Sequence, residues 1–136
     1  MRFMIIVRSN HISESGDLPD NDIVTAMTDY HEKLAAAGYL LDANGLKPSA
    51  SGWRVQYRKG RPSVVDGPFA ETKELIAGYT LIDVPSRAVA VEWSRAFPAP
   101  FGDLDCEVEV RQLYELDELS PSEAVERFRE LVPARA

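Results

Sequence analysis

The sequence predicts an α+β fold in which helices cover one face of an antiparallel sheet. Three observations favour this class. The chain opens with a continuous apolar run, residues 3–7, which is typical of a central strand covered on both faces. A stripe of apolar residues with helical spacing follows. Later segments alternate apolar and polar residues, which is the period of a strand. The order strand, helix, strands, helix, strand is the βαββαβ pattern of ferredoxin-like sandwiches.

The first helix is predicted to begin after the polar stretch 9–20, which we interpret as a loop because it contains glycine and proline. Asp20 or Asn21 can cap this helix, and Gly38 supplies a left-handed stop after residue 37. Its buried face carries four residues at spacings of four, three and four: Ile23, Met27, Tyr30 and Leu34.

A β-hairpin is predicted in the middle of the chain, after a short strand at residues 39–42 and a loop at residues 43–52. Trp53, Val55 and Tyr57 alternate with polar residues, which predicts a strand with one buried face. Residues 62–65 return as the partner strand, and this strand ends at Asp66.

Two more strands and two more helices are predicted beyond the hairpin. In the strand 79–84, Tyr79 and Leu81 are predicted to point to one side, and Thr80, Ile82 and Val84 to the other. Ser86 can cap the second long helix, which Pro98 closes. The last strand is predicted to include Cys106 as a small buried residue.

The terminal helix is predicted from a capping box at residues 120–123, Ser-Pro-Ser-Glu. Its apolar stripe consists of Ala124 or Val125, Phe128, and Leu131 or Val132.

Composition limits the classes of function. The chain has 136 residues, the size of one domain, and 22 acidic against 15 basic residues give a net charge of -7. This balance disfavours binding to nucleic acid and to anionic membranes. One cysteine allows no disulfide within the chain, and no segment has the length of a signal peptide or membrane span. We therefore expect a cytoplasmic protein that binds neither nucleic acid nor membranes.

The most specific motif is the polar connection at residues 66–74, Asp-Gly-Pro-Phe-Ala-Glu-Thr-Lys-Glu. Gly67 and Pro68 interrupt a strand, so Asp66 is expected at the carboxyl end of that strand. With Gly78-Tyr79 and residues 81–84, this stretch resembles the signature of the DGPF proteins, a branch of the YCII-related family.

The resemblance covers residues 1–113 of one domain that spans residues 1–136, so residues 113–136 are predicted to be a C-terminal extension. It implies a ferredoxin-like sandwich of the dimeric α/β-barrel superfamily, in which two sheets pack face to face. A large apolar sheet face usually has a partner, so we expect a homodimer through the sheet face. The apolar residues that suggest this face are Trp53, Val55, Tyr57, Tyr79 and Leu81.

The resemblance also implies that His31 and Asp66 form a functional pair. His31 follows Met27 by four residues and is expected at the rim of the buried helix face, where it can be a packing residue or a general base. An aspartate that accepts a hydrogen bond from one ring nitrogen makes the other nitrogen a better base. That arrangement suits isomerisation or elimination on a small polar organic molecule. Alternatively, a buried Asp66 could act alone.

Arg54 and Tyr79 are weaker candidates for binding the substrate. Arg54 could bind a carboxylate, and Tyr79 could donate its hydroxyl group. Each also has a purely structural interpretation, as an outward strand residue and as an apolar sheet residue. No cofactor or metal is predicted, because the sequence has neither a Cys/His cluster nor a glycine-rich phosphate loop.

Three functional hypotheses stay open at this point. The first is a cofactor-independent lyase or isomerase that uses His31 and Asp66. The second is a non-catalytic dimeric binding or regulatory protein, because the DGPF proteins are often found beside or fused to extracytoplasmic-function sigma factors. In the third, Asp66 only holds its own loop in place.

Overall fold

A computed structural model describes residues 1–131, which form six strands and four α-helices. The strands are β1 (Arg2–Arg8), β2 (Leu40–Gly45), β3 (Trp53–Arg58), β4 (Arg61–Asp66), β5 (Ile76–Asp83) and β6 (Val108–Gln112). The helices are α1 (His11–Ser15), α2 (Asn21–Ala36), α3 (Arg87–Arg95) and α4 (Glu123–Leu131). Val132, an alternative member of the predicted terminal stripe, lies outside the described residues.

The strands form two antiparallel sheets. Four strands form the larger sheet in the order β2-β5-β1-β6, with Ile5 of β1 opposite both Thr80 and Val110. β3 and β4 form a separate two-stranded sheet, in which Trp53 is opposite Asp66. The predicted α+β class with antiparallel strands is therefore confirmed.

The hydrophobic core lies between the larger sheet and the helices α2 and α3. Its buried members come from strands and helices alike: Phe3, Ile5, Tyr30, Leu34, Ile82, Val84 and Ala90. On β5, Thr80 and Ile82 are buried on this side, whereas Tyr79 and Leu81 lie on the opposite, outer face. The alternation predicted for this strand is confirmed.

The predicted caps of the two long helices are also confirmed. The Asp20 carboxylate accepts a hydrogen bond from the Ile23 backbone N–H at 2.9 Å, and Gly38 has a φ of 78°. The Ser86 hydroxyl accepts one from the Val89 N–H at 3.2 Å. These bonds satisfy helix N–H groups that have no partner within the helix.

The prediction that residues 9–20 are only a loop is wrong, because helix α1 forms within them. Asn10 Oδ1 accepts hydrogen bonds from the backbone N–H groups of Ile12 and Ser13, and Gly16 ends the helix with a φ of 88°. The strand predicted at residues 39–42 is also longer than expected, because pairing with β5 continues to Gly45.

The prediction that Trp53, Val55 and Tyr57 are buried on one face is wrong within the single chain. These side chains are 65%, 44% and 70% exposed. The reason is topological, because β3 pairs only with β4 and the hairpin stands apart from the four-stranded sheet.

Two predictions near the C-terminus also need correction. Cys106 is exposed, because β6 begins two residues later at Val108. Helix α4 begins at Glu123. The hydroxyl group that accepts a hydrogen bond from its first turn is that of Ser122 and not that of Ser120, and the Val125 N–H donates to it at 3.1 Å. In residues 1–131, no helix combines the length and apolar character needed to cross a membrane.

A buried tyrosine should make stability sensitive to alkaline pH. The Tyr30 ring is 5% exposed, its hydroxyl donates to the Trp93 carbonyl oxygen at 2.7 Å, and burial raises its pKa from 10.0 to about 12. The folded state therefore holds this proton more tightly than the unfolded state. The resulting stability is present below about pH 10 and is lost as the pH rises to about 12.

Urea unfolding at a series of pH values tests this expectation with Tyr30→Phe. The free-energy difference between wild type and variant should shrink as the pH rises from 10 to about 12. Tyr114→Phe, at a side chain that is 78% exposed, is the control and should unfold as the wild type does at each pH. If the difference in free energy of unfolding between wild type and Tyr30→Phe does not change with pH, the raised pKa of Tyr30 is contradicted.

Candidate functional site

The signature loop, which consists of residues 66–74, begins at the base of the β3–β4 hairpin. β4 ends at Asp66, as predicted, and the Gly67-Pro68 peptide bond that follows is cis. Residues 72–74 form a 3-10 turn, and β5 begins at Ile76. The loop thus connects the exposed hairpin to the central sheet.

Gly67 packs directly against the backbone of another 3-10 turn, Ser49–Ser51. Its N–H donates to the Gly52 carbonyl oxygen at 2.9 Å. A Cβ atom at this position would overlap the Ser49 carbonyl oxygen and lie 2.7 Å from the Ser49 carbonyl carbon. Only glycine allows the two backbone segments to approach this closely.

Ser49 links three segments of the chain by hydrogen bonds. Its backbone N–H and its hydroxyl both donate to the Glu14 carboxylate, at 3.0 and 2.6 Å. The same hydroxyl accepts from the Phe69 N–H at 3.0 Å. Helix α1, the turn Ser49–Ser51 and the signature loop are therefore held together at one point.

This link between Glu14, Ser49 and Phe69 was not predicted from the sequence. Glu14 lies in a segment that was predicted to be a loop, and Ser49 lies in another. The one signal available was the pair Asn10 and Ser13, since Asn and Ser at this spacing form the capping box that starts α1.

Arg54 stacks on the signature loop. Its guanidinium carbon lies 3.9 Å from the centre of the Phe69 ring, which is a cation–π contact. Among residues 1–131, no carboxylate lies within ion-pair distance of this guanidinium. The ring fixes one face of the planar group, and its N–H groups remain available to a ligand.

These residues line a cleft of about 300 Å³, which we call the signature-loop cleft. Its lining combines two cations with apolar side chains and consists of Glu14, Leu46, Lys47, Ser49, Arg54, Phe69, Glu74, Leu75 and Ile76. The Glu14 carboxylate is already occupied by Ser49. Besides the Glu74 carboxylate, the groups that can bind a ligand are the cations Lys47 and Arg54 and the apolar side chains, and the two cations suit an organic anion.

His31 lies elsewhere, on the side of the sheet covered by helices. Its Nδ1 is 2.6 Å from the Met27 carbonyl oxygen, and its Nε2 is 2.8 Å from the Thr80 hydroxyl oxygen. Because a carbonyl oxygen only accepts, Nδ1 carries a proton, and in the neutral ring Nε2 accepts from Thr80. The half-buried ring also lines a shallow groove beside Leu40. The predicted rim position is confirmed.

The four predicted site residues occupy separate places. Tyr79 lies on the outer face of the sheet, where its hydroxyl donates to Asp42 at 3.0 Å. Arg54 and Asp66 lie on opposite faces of the hairpin, and Asp66 is exposed. Within residues 1–131, no hydrogen bond joins His31 to Asp66, so their pairing stays a prediction. In the same range, no three His, Cys, Asp or Glu side chains are grouped to hold a metal ion.

Replacing Gly67 with alanine should destabilise the site. The added methyl group would force the signature loop away from Ser49, at a cost of about 1–3 kcal/mol in the free energy of unfolding. Gly45→Ala is a matched control, because a Cβ there meets no atom within 4 Å. Urea denaturation of both variants is the measurement, and equal stabilities for the two would contradict the close approach.

Comparisons with known proteins place this architecture in a family. A profile of the YCII-related domain matches residues 1–114, which include every residue of the signature-loop cleft and His31. The chain is also similar to an uncharacterised protein of Rhizobium meliloti (strain 1021), at 33% identity over 76 residues. That alignment spans 56% of this chain and 61% of the relative. Because the domain match covers most of the chain, the protein belongs to the YCII-related family.

Proposed function

We propose that this protein binds a small organic acid in the signature-loop cleft. The stacking of Arg54 on Phe69 is the observation that carries the proposal. A guanidinium group binds a carboxylate through two parallel hydrogen bonds, and stacking reduces the freedom that it loses when it does so. The absence of an acidic partner among residues 1–131 leaves those bonds for a ligand.

The rest of the cleft supports a ligand with a short apolar body. Leu46, Leu75 and Ile76 contribute apolar surface, and Lys47 adds a second positive charge. A volume of about 300 Å³ is at the lower end of ligand pockets, which favours a compact molecule.

The reaction that we propose for the bound acid is a cofactor-independent isomerisation or elimination, with His31 and Asp66 as the acid/base pair. The hydrogen bond from Nδ1 to Met27 supports this role for His31, because it leaves Nε2 as the basic nitrogen. Nε2 accepts from the Thr80 hydroxyl, so proton transfer to His31 requires that Thr80 relays the proton or is displaced. Asp66 lies three residues before Phe69, which lines the cleft. His31 instead lines the groove beside α2, so turnover requires that the two groups approach each other.

We further propose a ferredoxin-like layout and a homodimer. The order β2-β5-β1-β6, with α2 and α3 on one face, supports this layout. The outer face carries Met4 and Leu81, which are half-buried in the single chain, and a second sheet packed on it would bury these side chains completely.

A regulatory protein is the second candidate, favoured by one observation. Helix α4 presents Phe128 and Leu131 to solvent, at 54% and 76% exposure. Such an apolar helix face is suited to a groove on a partner, including the sigma factor suggested by the resemblance. Under this hypothesis, the functional contact is between α4 and a partner protein, and not between the cleft and a small molecule.

Arg54→Ala should weaken binding of the organic acid about 10- to 100-fold, since hydrogen bonds to charged groups contribute about 1.5–3 kcal/mol. Arg58→Ala is the matched control. It removes the same charge from the same hairpin face, yet Arg58 does not line the cleft. Isothermal titration calorimetry with a panel of small carboxylic acids and their neutral amides is the measurement. Equal losses in the two variants would indicate only long-range attraction and contradict the site.

The variants His31→Ala and Asp66→Asn distinguish a catalytic role of this pair from a structural role of Asp66. If the pair transfers protons, each change should slow turnover of the bound acid by about 100-fold or more, measured as deuterium exchange by proton NMR. Affinity should remain, because neither residue lines the cleft. If Asp66 only holds its loop, Asp66→Asn should instead lower the unfolding temperature, and His31→Ala should leave turnover unchanged.

A further inference from the structure

One side of the β3–β4 hairpin is basic. Alternate residues of a strand lie on the same side, and cross-strand pairing places Arg54 opposite Val65 and Arg58 opposite Arg61. We call this side the basic face, and it consists of Arg54, Gln56, Arg58, Arg61, Ser63 and Val65. Every one of these residues is exposed in the single chain. The basic face is therefore open to a partner.

Positive charge is concentrated in the hairpin, although the chain as a whole is acidic. Residues 53–66 hold four basic residues and one acidic residue, whereas the rest of the chain holds eleven basic and twenty-one acidic residues. The hairpin thus has a net charge of +3 and the rest of the chain a net charge of -10. Charged side chains on an open hairpin discourage aggregation through its edges, but either sign of charge does so. A basic hairpin on an acidic body therefore indicates an anionic partner.

Two arginines face each other at the tip of the hairpin. The turn consists of Lys59 and Gly60, with φ values of 50° and 75°, and Arg58 and Arg61 flank it as a directly opposed pair. Like charges at such positions destabilise a hairpin. In the part of the chain that the structure describes, residues 1–131, neither guanidinium forms an ion pair. A carboxylate held between the two groups would remove this repulsion.

We propose that the basic face binds an extended acidic segment of a partner protein. One carboxylate of the segment lies between Arg58 and Arg61, and a second carboxylate, four residues away, reaches Arg54. A guanidinium group matches the geometry of a carboxylate, and two guanidinium groups can share its two oxygens. The inference goes beyond the proposed binding of a small organic acid, because Arg58 and Arg61 do not line the signature-loop cleft.

The geometry of β3 determines the spacing of the two carboxylates. A strand rises about 3.3 Å per residue, so Arg54 and Arg58 are about 13 Å apart on the same side. An extended peptide has the same rise, and its residues four apart therefore match this distance. Between the arginines lie Gln56 and Ser63, whose neutral polar groups can form hydrogen bonds with a polar residue midway between the carboxylates.

The extent of the basic face favours an acidic segment of protein over a nucleic acid. A nucleic acid has a phosphate at every nucleotide, so its charge continues beyond the hairpin. The rest of the chain, with its net charge of -10, would repel those further phosphates. A segment with two carboxylates has its charge confined to about 13 Å, the distance between the arginines of β3.

Two synthetic heptapeptides of the same composition test the surface. Acetyl-Thr-Glu-Val-Ser-Val-Glu-Thr-amide has its glutamates four residues apart and, when extended, on one side. Acetyl-Thr-Glu-Val-Ser-Glu-Val-Thr-amide has them three apart and on opposite sides. In titrations followed by backbone amide chemical shifts, the first peptide should bind about fivefold more tightly, which is the gain from one exposed ion pair. Equal affinities, or no shifts in residues 54–65, would overturn the proposal.

Three arginine variants identify the contact of the first peptide. Arg58→Ala and Arg61→Ala should each raise its dissociation constant about fivefold. Each change also removes the repulsion at the tip, so the hairpin should stay folded, which its amide shifts verify. Arg95→Ala is the control, because it removes an exposed arginine from α3 and should have little effect. Equal losses in all three variants would indicate attraction by net charge alone and overturn the proposal.

A thymidine trinucleotide has two phosphates and therefore the same number of negative charges as each peptide. If it binds the basic face more tightly than the first peptide, the partner is a nucleic acid and the proposal is wrong.

The test is also distinguishable from that of the proposed function. Arg58→Ala should weaken binding of the peptide and leave binding of the small organic acid unchanged. If the peptide binds as expected and no small acid does, the proposed function fails alone. If a small acid binds and the peptide does not, this inference fails alone.

Discussion

The packing of β1 against α2 is the constraint on which the other parts of the structure depend. Phe3 and Ile5 are buried against Tyr30 and Leu34, and this burial fixes which face of the sheet the helices cover. Because side chains alternate along a strand, this burial also determines on which face of the sheet each side chain of β5 lies. Thr80 reaches His31 in the covered layer, and Tyr79 is left on the outer face with Asp42. Tyr79 and Thr80, which are adjacent in sequence, therefore lie on opposite faces of the sheet.

The signature-loop cleft depends on a second constraint, the close approach of two backbone segments. Gly67 can lie against Ser49 because it has no side chain, and the Ser49 hydroxyl then joins Phe69 to Glu14. This arrangement places the Phe69 ring under the Arg54 guanidinium. The motif that identifies the family thus builds one wall of the cleft. Arg54 also belongs to strand β3, so the hairpin supplies the proposed ligand-binding cation.

Local chemistry explains which predictions succeeded. The caps Asp20 and Ser86 are confirmed because a cap needs only hydrogen bonds within a few residues. The burial of Trp53 and the position of Cys106 were predicted wrongly, because alternation specifies a two-faced strand but not the layer that covers it. Glu14 and Ser49 were missed for a related reason, since they are 35 residues apart and meet only after the loops have folded.

The sequence by itself determined the α+β class, the extents of the long helices, the hairpin and the end of β4 at Asp66. These features follow from periodicity, caps and turn residues, which act over short distances along the chain. Only the tertiary structure decided that His31 bonds to Thr80, that Arg54 stacks on Phe69, and that the hairpin leaves the central sheet. Those contacts join residues far apart in sequence, and their formation depends on how the sheet and loops pack together.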